Sequence, residues 1–496
     1  MRYKLRVTRT IIVFVILCII LYFYGSDRVS TSLSEHLPSL KSSDGTHLAS
    51  ERVDVAFPDN IQSFWDYWSK IFNDCRPLPD SPTRGILLSN NANAVGISAD
   101  DYTQRGPSQN RVLNSESDIE SLRSSHAALL EKLQFQDISA EIYNGTGIVT
   151  VGGGEYFGPA IIGLHMLRKT GSTLPVEIFL ADEAEYEASL CDDYLPSFGA
   201  HCLIISSFLR PGNTSQSFDI THYQLKSLAM LFSSFAEVLY LDSDSIPLVD
   251  PSTELFSTEP YKSSGLVIWP DFWVSTESPL FYKIAGLPSF PTNLPKTSSE
   301  TGQLLINKRT HLKTLLLATY YNIYGPDYYY PLLSQGVIGQ GDKETFMAAA
   351  IVTGESYYRV KTGVMAVGRH DGDQYKGSGM IQHHSSDDFL RAGPQESRNN
   401  SEAEYAVVRP AFMHANTPKM NAGHLVDEGD LFTADKKRLR LWGSEEEQER
   451  LFGYDLEKVV WELLVRTGCE LEKDLREWKG RERMCSRLQE HWKGIF

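Results

Sequence analysis

Short apolar segments alternate with helical patterns between residues 148 and 241, and this alternation limits the possible folds more than any other feature of the sequence. A final segment at 238–241 is apolar on both faces, as expected of a central strand that is covered on both sides. Alternating strands and helices predict an α/β fold with a central sheet flanked by helices. The earlier strand-like segments are 148–151, 176–180 and 203–205, and the helical patterns are 159–168 and 225–235.

Helical patterns flank this α/β region on both sides. Large apolar residues recur at helical spacing in 59–72 and 119–133, and the sequence after residue 430 is charged and helical. The sequence therefore predicts a helical N-terminal region at 59–140, a central domain at 141–430 and a helical C-terminal extension at 431–496. Further strands of the central domain are predicted at 266–269, 303–306 and around 364–367.

The N-terminus carries basic residues followed by an uncharged apolar stretch at 11–24. Basic residues before such a stretch keep that end in the cytosol and direct the rest of the chain across the membrane. The stretch is shorter than the ~20 residues of a full span, so a cleaved signal peptide is the alternative. Aromatic residues precede Gly25, unlike a small-x-small cleavage site, which favours an anchor. We expect a single-pass type II protein with a cytosolic tail at 1–10, a transmembrane signal-anchor at 11–24 and a flexible stem at 25–58.

Cysteines and glycosylation sequons fit a folded part that lies in the lumen of the secretory pathway. No Cys-x-x-Cys or Cys/His zinc spacing occurs after the apolar stretch, and an oxidising lumen favours disulfides. We expect the local pairs Cys191–Cys202 and Cys469–Cys485, with Cys75 left over. Asn-x-Ser/Thr sequons stand at Asn144, Asn213 and Asn399.

The composition argues against nucleic acid and anionic lipid as partners of the folded part. Hydrophobic residues make up 42% of the chain, which is enough for a large core, and the formal net charge is -16. Nucleic acid and anionic lipid reward clustered Lys and Arg, so neither is expected to bind the folded part.

Two aspartates one residue apart, Asp242 and Asp244, end the central apolar strand. In an extended segment side chains at i and i+2 project to the same side, and ligands of open α/β sheets bind at the carboxyl ends of strands. Two carboxylates with no nearby Cys or His favour Mn²⁺ or Mg²⁺, which keeps positions open for phosphate oxygens. The alternative is a solvated turn or a helix cap, as expected for Asp250 nearby.

The segment YLDSDSIP, which follows an apolar strand and a helix, resembles the Asp-x-Asp signature of nucleotide-sugar glycosyltransferases of the GT-A type. Seven segments in order resemble the fungal α-mannosyltransferases of glycosyltransferase family 71, the Mnn-type enzymes, over roughly residues 145–425. They are GIVTVGGGEYFGPAIIGLHMLRKTGSTLPVEIFL, LPSFGAHC, YQLKSLAMLFSSFAEVLYLDSDSIPLVDP, LFSTEPYKSSGLVIWPDFW, TGQLLINK, GQGDKETF and FMHANTPKMN.

The resemblance implies a GT-A-like fold, with a mixed central sheet flanked by helices, and a Golgi type II enzyme whose lumenal catalytic domain is the segment 141–430. It implies transfer of mannose from GDP-mannose, with retention of configuration, to α-mannoside acceptors in mannan or in N- or O-linked glycans. The linkage is expected to be α-1,2, with α-1,3 as the alternative. A transferase of another nucleotide sugar, such as UDP-galactose, is a second rival. A non-catalytic lumenal mannan-binding subunit is a third, and it would need no metal for a diphosphate.

The resemblance also implies a third metal ligand and a diphosphate contact. His414 is the predicted ligand and Lys419 the predicted diphosphate contact, because His-x-x-x-x-Lys resembles the closing motif of related retaining families. An ordinary surface histidine is the alternative for His414. The adjacent pair His383 and His384 is a rival for the same role.

The nucleotide is predicted to contact glycines at the end of the first strand. Gly152, Gly153 and Gly154 allow close approach of the backbone, and by resemblance they line the GDP pocket. A tight turn is the alternative, and a Rossmann site is disfavoured because the glycine spacing misses its motif by one residue. Lys226 is predicted either to contact phosphate or to belong to the polar face of its helix.

Three further carboxylates are candidates for the sugar. By resemblance Asp342 hydrogen-bonds hydroxyls of the transferred mannose, with Glu344 nearby, although a helix N-cap would also explain Asp342. Asp271 is a candidate hydroxyl acceptor. Trp269 and Trp273 offer faces for sugar stacking, but aromatic residues of this kind are more often in the core, which is the expectation for both. No side chain is placed as a nucleophile, so the resemblance implies front-face attack by the acceptor hydroxyl.

Overall fold

The computed structural model describes residues 57–77, 85–97, 106–135, 139–209, 218, 220–392, 407–427, 431–433, 435–481 and 483–496. The predicted tail and signal-anchor, the stem up to residue 56, and the sequons at Asn213 and Asn399 lie outside these residues. Within the described ranges, none of the helices combines the length and the apolar character that a membrane crossing requires.

Two sheets organise the chain. In chain order, their strands are β1 (Thr146–Val151), β2 (Val176–Leu180), β3 (Ala200–Ile204), β4 (Glu237–Leu241), β5 (Ser245–Pro247), β6 (Leu266–Val274), β7 (Thr297–Asn307), β8 (Tyr358–Arg359), β9 (Met365–Asp371), β10 (Gln374–His383) and β11 (Pro410–His414). A seven-stranded sheet has the order β3-β2-β1-β4-β7-β6-β8, and a four-stranded sheet has the order β5-β11-β10-β9.

The larger sheet is mixed, as the resemblance implied. Strands β3, β2, β1 and β4 pair in parallel, whereas β7 runs antiparallel to both β4 and β6. Strand β4 therefore lies at the boundary between the parallel and antiparallel parts. The strand predicted at 203–205 forms three residues earlier, and Ile205 instead begins a short helix.

Helices cover the larger sheet on both faces. They are α1 (Phe57–Asp74), α2 (Glu116–Phe135), α3 (Phe157–Lys169), α4 (Ile205–Leu209), α5 (Gln224–Phe232), α6 (Tyr261–Ser264), α7 (Pro279–Ile284), α8 (Lys308–Ile323), α9 (Tyr330–Ser334), α10 (Thr345–Thr353), α11 (Ser385–Ala392), α12 (Ala422–Leu425), α13 (Glu445–Phe452), α14 (Leu456–Leu471) and α15 (Met484–Ile495). Both helical patterns predicted before residue 140, and the helical character predicted after residue 430, are confirmed.

The buried apolar residues form two clusters, one on each face of the larger sheet. Val238 and Tyr240 of β4 face the first cluster, together with α1, α2, α5 and α8. Leu239 and Leu241 face the second cluster, together with α3, α14 and α15. The prediction that this strand is covered on both sides is confirmed, and the alternation of its side chains explains why all four positions are apolar.

Local capping and cross-links define the C-terminal helices. Ser444 and Glu447 form a capping box at the start of α13, which ends at Gly453. The Asp455 side chain then accepts from the Lys458 N–H at the start of α14. The predicted disulfides are confirmed at Cys191–Cys202 and Cys469–Cys485, and Cys75 is free and buried.

Candidate functional site

The turn from Asp242 to Asp244 joins the two sheets. The Asp242 N–H donates to the Gly302 carbonyl of β7 at 2.8 Å, which continues the pairing of β4 with β7. On the other side, the Ala415 N–H donates to the Asp244 carbonyl at 2.9 Å. The first aspartate is thus attached to the larger sheet and the second to the end of β11 in the smaller one.

Strand pairing brings His414 close to Asp242 and Asp244. It is the last residue of β11 and pairs with Ser245 of β5, which places its imidazole Nε2 3.0 Å from Asp244 Oδ1. One ligand atom from each of Asp242, Asp244 and His414 lies within 4.8 Å of the others. The imidazole is 8% exposed, so the alternative of a surface histidine is wrong.

This set of donor atoms fits a divalent metal ion. Two carboxylates and one imidazole suit Mn²⁺, and three protein ligands leave positions open for other oxygens. Among the described residues, no second group of three acidic, His or Cys side chains has the same compactness. The rival pair lies elsewhere, since the His384 ring nitrogens contact Glu254 and Asp387 at 3.6 and 3.4 Å.

Lys419 lies beside the same cluster on its accessible side. Its ammonium contacts Asp244 Oδ2 and lies 5.7 Å from the centre of the Tyr156 ring. The Lys419 side chain is 38% exposed, and that of Asp242 is 29% exposed. A ligand that approaches the carboxylates from solvent therefore meets this cation.

Lys226 approaches the cluster from inside the protein. Its ammonium lies 3.2 Å from carboxylate oxygens of both Asp242 and Asp342, and donates to the Thr301 carbonyl at 2.8 Å. The residue is 6% exposed, so its placement on the polar face of α5 is wrong. Through these contacts Lys226 links the Asp242–Asp244 turn to the segment that carries Asp342.

Asp342 and Glu344 are buried next to β7. The Thr301 hydroxyl donates to Asp342 at 2.9 Å, and the Ser299 N–H donates to Glu344 at 3.0 Å. The N-cap alternative for Asp342 is wrong, because Gly341 caps the short helical turn Asp342–Glu344 and Glu344 is the N-cap of α10. The structure thus brings Asp342 to the Asp242–Asp244 turn through Lys226.

Asp271 belongs to a neighbouring group. Its carboxylate pairs with Lys343 at 2.9 Å and accepts from the Phe272 N–H at 2.6 Å. Lys343 follows Asp342 in the chain, so Asp271 is connected to the site through that neighbour. Trp269 is fully buried, as expected, whereas Trp273 is 38% exposed.

The three glycines after β1 form a tight turn. Gly153 and Gly154 have φ angles of 98° and 50°, which side chains rarely adopt. A Cβ atom at Gly153 would lie 2.3 Å from the Glu185 carboxylate, whereas at Gly154 it would have open space. The tight-turn explanation is therefore confirmed, and a role in nucleotide binding stays a prediction.

Burial and neighbouring charges shift the pKa values of Asp242 and Asp244 in opposite directions. Burial raises the pKa of Asp242, and the Asp244 carboxylate adds to this against the opposing effect of Lys226. Burial alone would raise the pKa of Asp244, but His414 and Lys419 outweigh it and hold the pKa well below its usual value. Asp244 is therefore the more strongly held charge.

The carboxylates of the site raise the pKa values of the neighbouring cations, His414 and Lys226. Burial lowers the pKa of His414, but Asp244 and Glu300 outweigh it and raise that pKa well above its usual value. Burial likewise opposes the charge of Lys226, whose pKa is nevertheless raised by Asp242 and Asp342. The site thus gathers acidic side chains with the cations that balance them.

Sequence reasoning missed residues of β7 that support the site. Glu300 Oε1 accepts from the Gly302 N–H at 2.7 Å and lies 3.5 Å from His414 Nδ1. Thr301 contacts both Lys226 and Asp342. The polar run SSET before the predicted strand was the signal that could have found them, because β7 begins at Thr297 and not near residue 303.

The chain is similar in sequence to known proteins. The Mannosyl_trans3 family model, which describes mannosyltransferases, matches residues 145–294 and 287–386. The α-1,2-mannosyltransferase MNN21 of Candida albicans (strain SC5314) is 33% identical over 492 residues, which cover 86% of this chain and 74% of that protein. The α-1,2-mannosyltransferase MNN2 of Saccharomyces cerevisiae (strain S288c) is 39% identical over 307 residues, which cover 55% of this chain and 51% of that protein. The chain thus spans about half the length of this second relative.

A solved structure is also similar. The glycosyltransferase GlyE of Streptococcus pneumoniae TIGR4 has 15% sequence identity and a TM-score of 0.28. The superposition covers 44% of this chain and 45% of that chain. Similarity at this level carries no argument about the site.

Proposed function

This chain belongs to the Mnn-type mannosyltransferase family of fungi, and from that premise we propose that it transfers mannose from GDP-mannose to an α-mannoside acceptor in mannan or in N- or O-linked glycans. The names of the relatives support an α-1,2 linkage over α-1,3. The observation that carries the proposal is the convergence of Asp242, Asp244 and His414 at the end of the central strand.

In this proposal Asp242, Asp244 and His414 hold Mn²⁺ or Mg²⁺. When bound, such an ion neutralises charge on the diphosphate of the donor as the sugar departs. Lys419 contacts the same diphosphate, because it is the partly exposed cation at the cluster. The turn of Gly152, Gly153 and Gly154 lies against the nucleotide, where the lack of side chains allows close approach.

In this proposal the carboxylates of Asp342, Glu344 and Asp271 position the sugar. Asp342 is held by Lys226 and Thr301, Glu344 by the Ser299 N–H, and Asp271 by Lys343. None of them is placed as a free nucleophile, so in this proposal a retaining transfer proceeds by front-face attack without a covalent enzyme intermediate. The acceptor oxygen forms a bond to the anomeric carbon on the face from which the diphosphate oxygen leaves, and the hydroxyl proton passes to that phosphate.

We also propose that the protein acts as a single-pass type II membrane protein with its catalytic part in the Golgi lumen. The two disulfides support an oxidising compartment. The basic N-terminus and the apolar stretch at 11–24 support the anchor. Protease protection of the chain in sealed Golgi vesicles, with and without detergent, tests this orientation.

The activity is tested with the purified full chain, GDP-mannose, α-1,6-mannobiose and Mn²⁺, with linkage analysis of the product by NMR. We expect an α-1,2-linked product that disappears with chelator and with Asp242→Asn/Asp244→Asn. Asp250→Asn is the matched control, because Asp250 is near the same turn in sequence but lies beyond β5, and its carboxylate accepts from Ser252 and Thr253. No product from GDP-mannose, or a faster reaction with UDP-galactose, would overturn the proposal.

A further inference from the structure

Within the C-terminal extension, residues 476–481 lie between α14 and α15 and contact the segment that carries Lys419. We call these residues the C-terminal latch. The family model ends at residue 386, so the latch lies beyond the part of the chain that it matches. The Cys469–Cys485 disulfide joins the two helices on either side of the latch.

Asn421 is the residue that the latch holds. It follows Lys419 by two positions, and its own N–H donates to the Lys419 carbonyl at 2.7 Å. Its side-chain NH₂ donates to the Glu155 carbonyl at 2.8 Å, next to the glycine turn, and its side-chain oxygen accepts from the Gly423 N–H at 3.0 Å. One buried amide therefore connects the Lys419 segment to the glycine turn.

Trp478 of the latch fixes the orientation of this amide. Its indole Nε1–H donates to Asn421 Oδ1 at 3.0 Å, and the residue is 1% exposed. Its ring lies against two glycines, where an added Cβ would come within 3.1 Å of it at Gly158 and 2.5 Å at Gly423. Gly158 belongs to α3, which begins three residues after the glycine turn, so the ring packs against the segment after that turn and the segment after Lys419.

Neighbouring latch residues add contacts to the same two segments. The Glu477 carboxylate accepts from Asn421 Nδ2 at 3.1 Å and contacts His424. The Arg476 N–H donates to Glu187 at 2.7 Å, and its guanidinium donates to the Tyr186 carbonyl at 2.9 Å. The residues around 184–187 in turn pack against the glycine turn through Glu185.

We propose that the C-terminal latch positions the donor-binding residues, by holding Asn421 so that Lys419 and the glycine turn keep the spacing that a nucleoside diphosphate requires. This inference rests on the proposed function. Trp478 and Asn421 are positioning residues in it, since they contact the binding segments and not the reacting atoms. A mobile Lys419 segment would weaken donor binding more than it slows the transfer itself.

The test replaces the indole donor while keeping an aromatic ring. In Trp478→Phe of the full chain, we expect the KM for GDP-mannose to rise about fivefold, the effect of losing one hydrogen bond, with kcat within about twofold of wild type. Trp442→Phe is the matched control, because Trp442 is 2% exposed in the same extension and its Nε1–H has no hydrogen-bond partner among the described residues. That variant should keep the wild-type KM.

A second variant separates positioning from folding. Asn421→Asp keeps the oxygen that accepts from Trp478 but removes the NH₂ that donates to Glu155, and we expect it to raise the KM and to weaken binding of GDP in the presence of Mn²⁺. A purely structural role would lower the amount of active enzyme and leave the KM unchanged in both variants, which would overturn the proposal. If the wild type neither binds nor uses GDP-mannose, the proposed function fails instead.

Discussion

His414 Nε2 lies 3.0 Å from Asp244 Oδ1, although His414 ends β11 of the smaller sheet and Asp244 lies in the turn that connects the two sheets. The pairing of β5 with β11 creates this contact. Because β5 begins one residue after Asp244, the register of that pairing decides whether an imidazole reaches the carboxylates. The position of His414, the third ligand of the candidate metal site, therefore depends on the register between β5 and β11.

Removal of this imidazole should weaken metal binding. In His414→Gln we expect the Mn²⁺ concentration for half-maximal transferase activity to rise by about 10-fold or more, since a ligand is lost while both carboxylates remain. His384→Gln serves as the control, because His384 contacts Glu254 and Asp387 away from the site. An unchanged Mn²⁺ requirement in His414→Gln would show that the histidine is not a ligand.

Loss of the buried ammonium of Lys226 should destabilise the protein. Lys226→Met leaves Asp242 and Asp342 without their shared cation, and we expect the free energy of unfolding to fall by about 3 to 5 kcal/mol. Urea denaturation of the purified chain measures the change. The double variant Lys226→Met/Asp342→Asn removes one of the uncompensated charges and should recover part of the loss. Equal stabilities of the single and double variants would argue against coupling.

Acid should weaken the fold through His126. Burial lowers the pKa of His126 to about 4, and its Nε2 contacts the Tyr321 hydroxyl at 2.7 Å. An unfolded histidine titrates near 6.5, so unfolding takes up a proton between that value and about pH 4, and stability is lost as the pH falls through this window. We expect His126→Gln to lose less stability on acidification, with the gap from wild type closing by up to ~1.4 kcal/mol per pH unit.

Urea denaturation at pH 7, 6 and 5 measures that gap. His201→Gln is the control, because His201 is exposed on β3 and its replacement should leave wild-type behaviour. A constant gap between wild type and His126→Gln across this pH range would contradict the prediction.

The Cys469–Cys485 disulfide should contribute to stability. It spans a sequence separation of 16 residues, and opening a loop of this size lets the unfolded chain gain entropy. We expect Cys469→Ser/Cys485→Ser to lower the free energy of unfolding by about 3 kcal/mol, measured by urea denaturation without reductant. Added reductant should bring the wild type to the level of the variant or below it, and a variant as stable as oxidised wild type would refute the assignment.

The local part of the site is predictable from the sequence. Asp242 and Asp244 stand at the end of an apolar segment, and both the strand and the direction of its carboxyl end follow from local pattern. His414 is predicted only through the resemblance, because nothing in its own neighbourhood indicates that β11 pairs with β5. The disulfide partners are predictable because they are close in sequence.

The rest depends on contacts between distant segments. Glu300 and Thr301 reach the site only because β7 runs antiparallel beside β4, and the composition of β7 does not specify its neighbour. Helical periodicity allows Lys226 a polar helix face, whereas its burial requires acceptors from three other segments. Asp342 has two local explanations, and the choice between them requires the position of that lysine.

The two apolar clusters limit how far the chain can be truncated at either end. Helices α1 and α2 cover part of one face of the larger sheet and helices α14 and α15 cover part of the other, so both terminal regions contribute to the core. A fragment cut to residues 141–430 would expose apolar residues on both faces that the terminal helices now cover, and we expect it to aggregate. The shortest piece that can be expected to stay soluble begins near residue 57 and runs through α15.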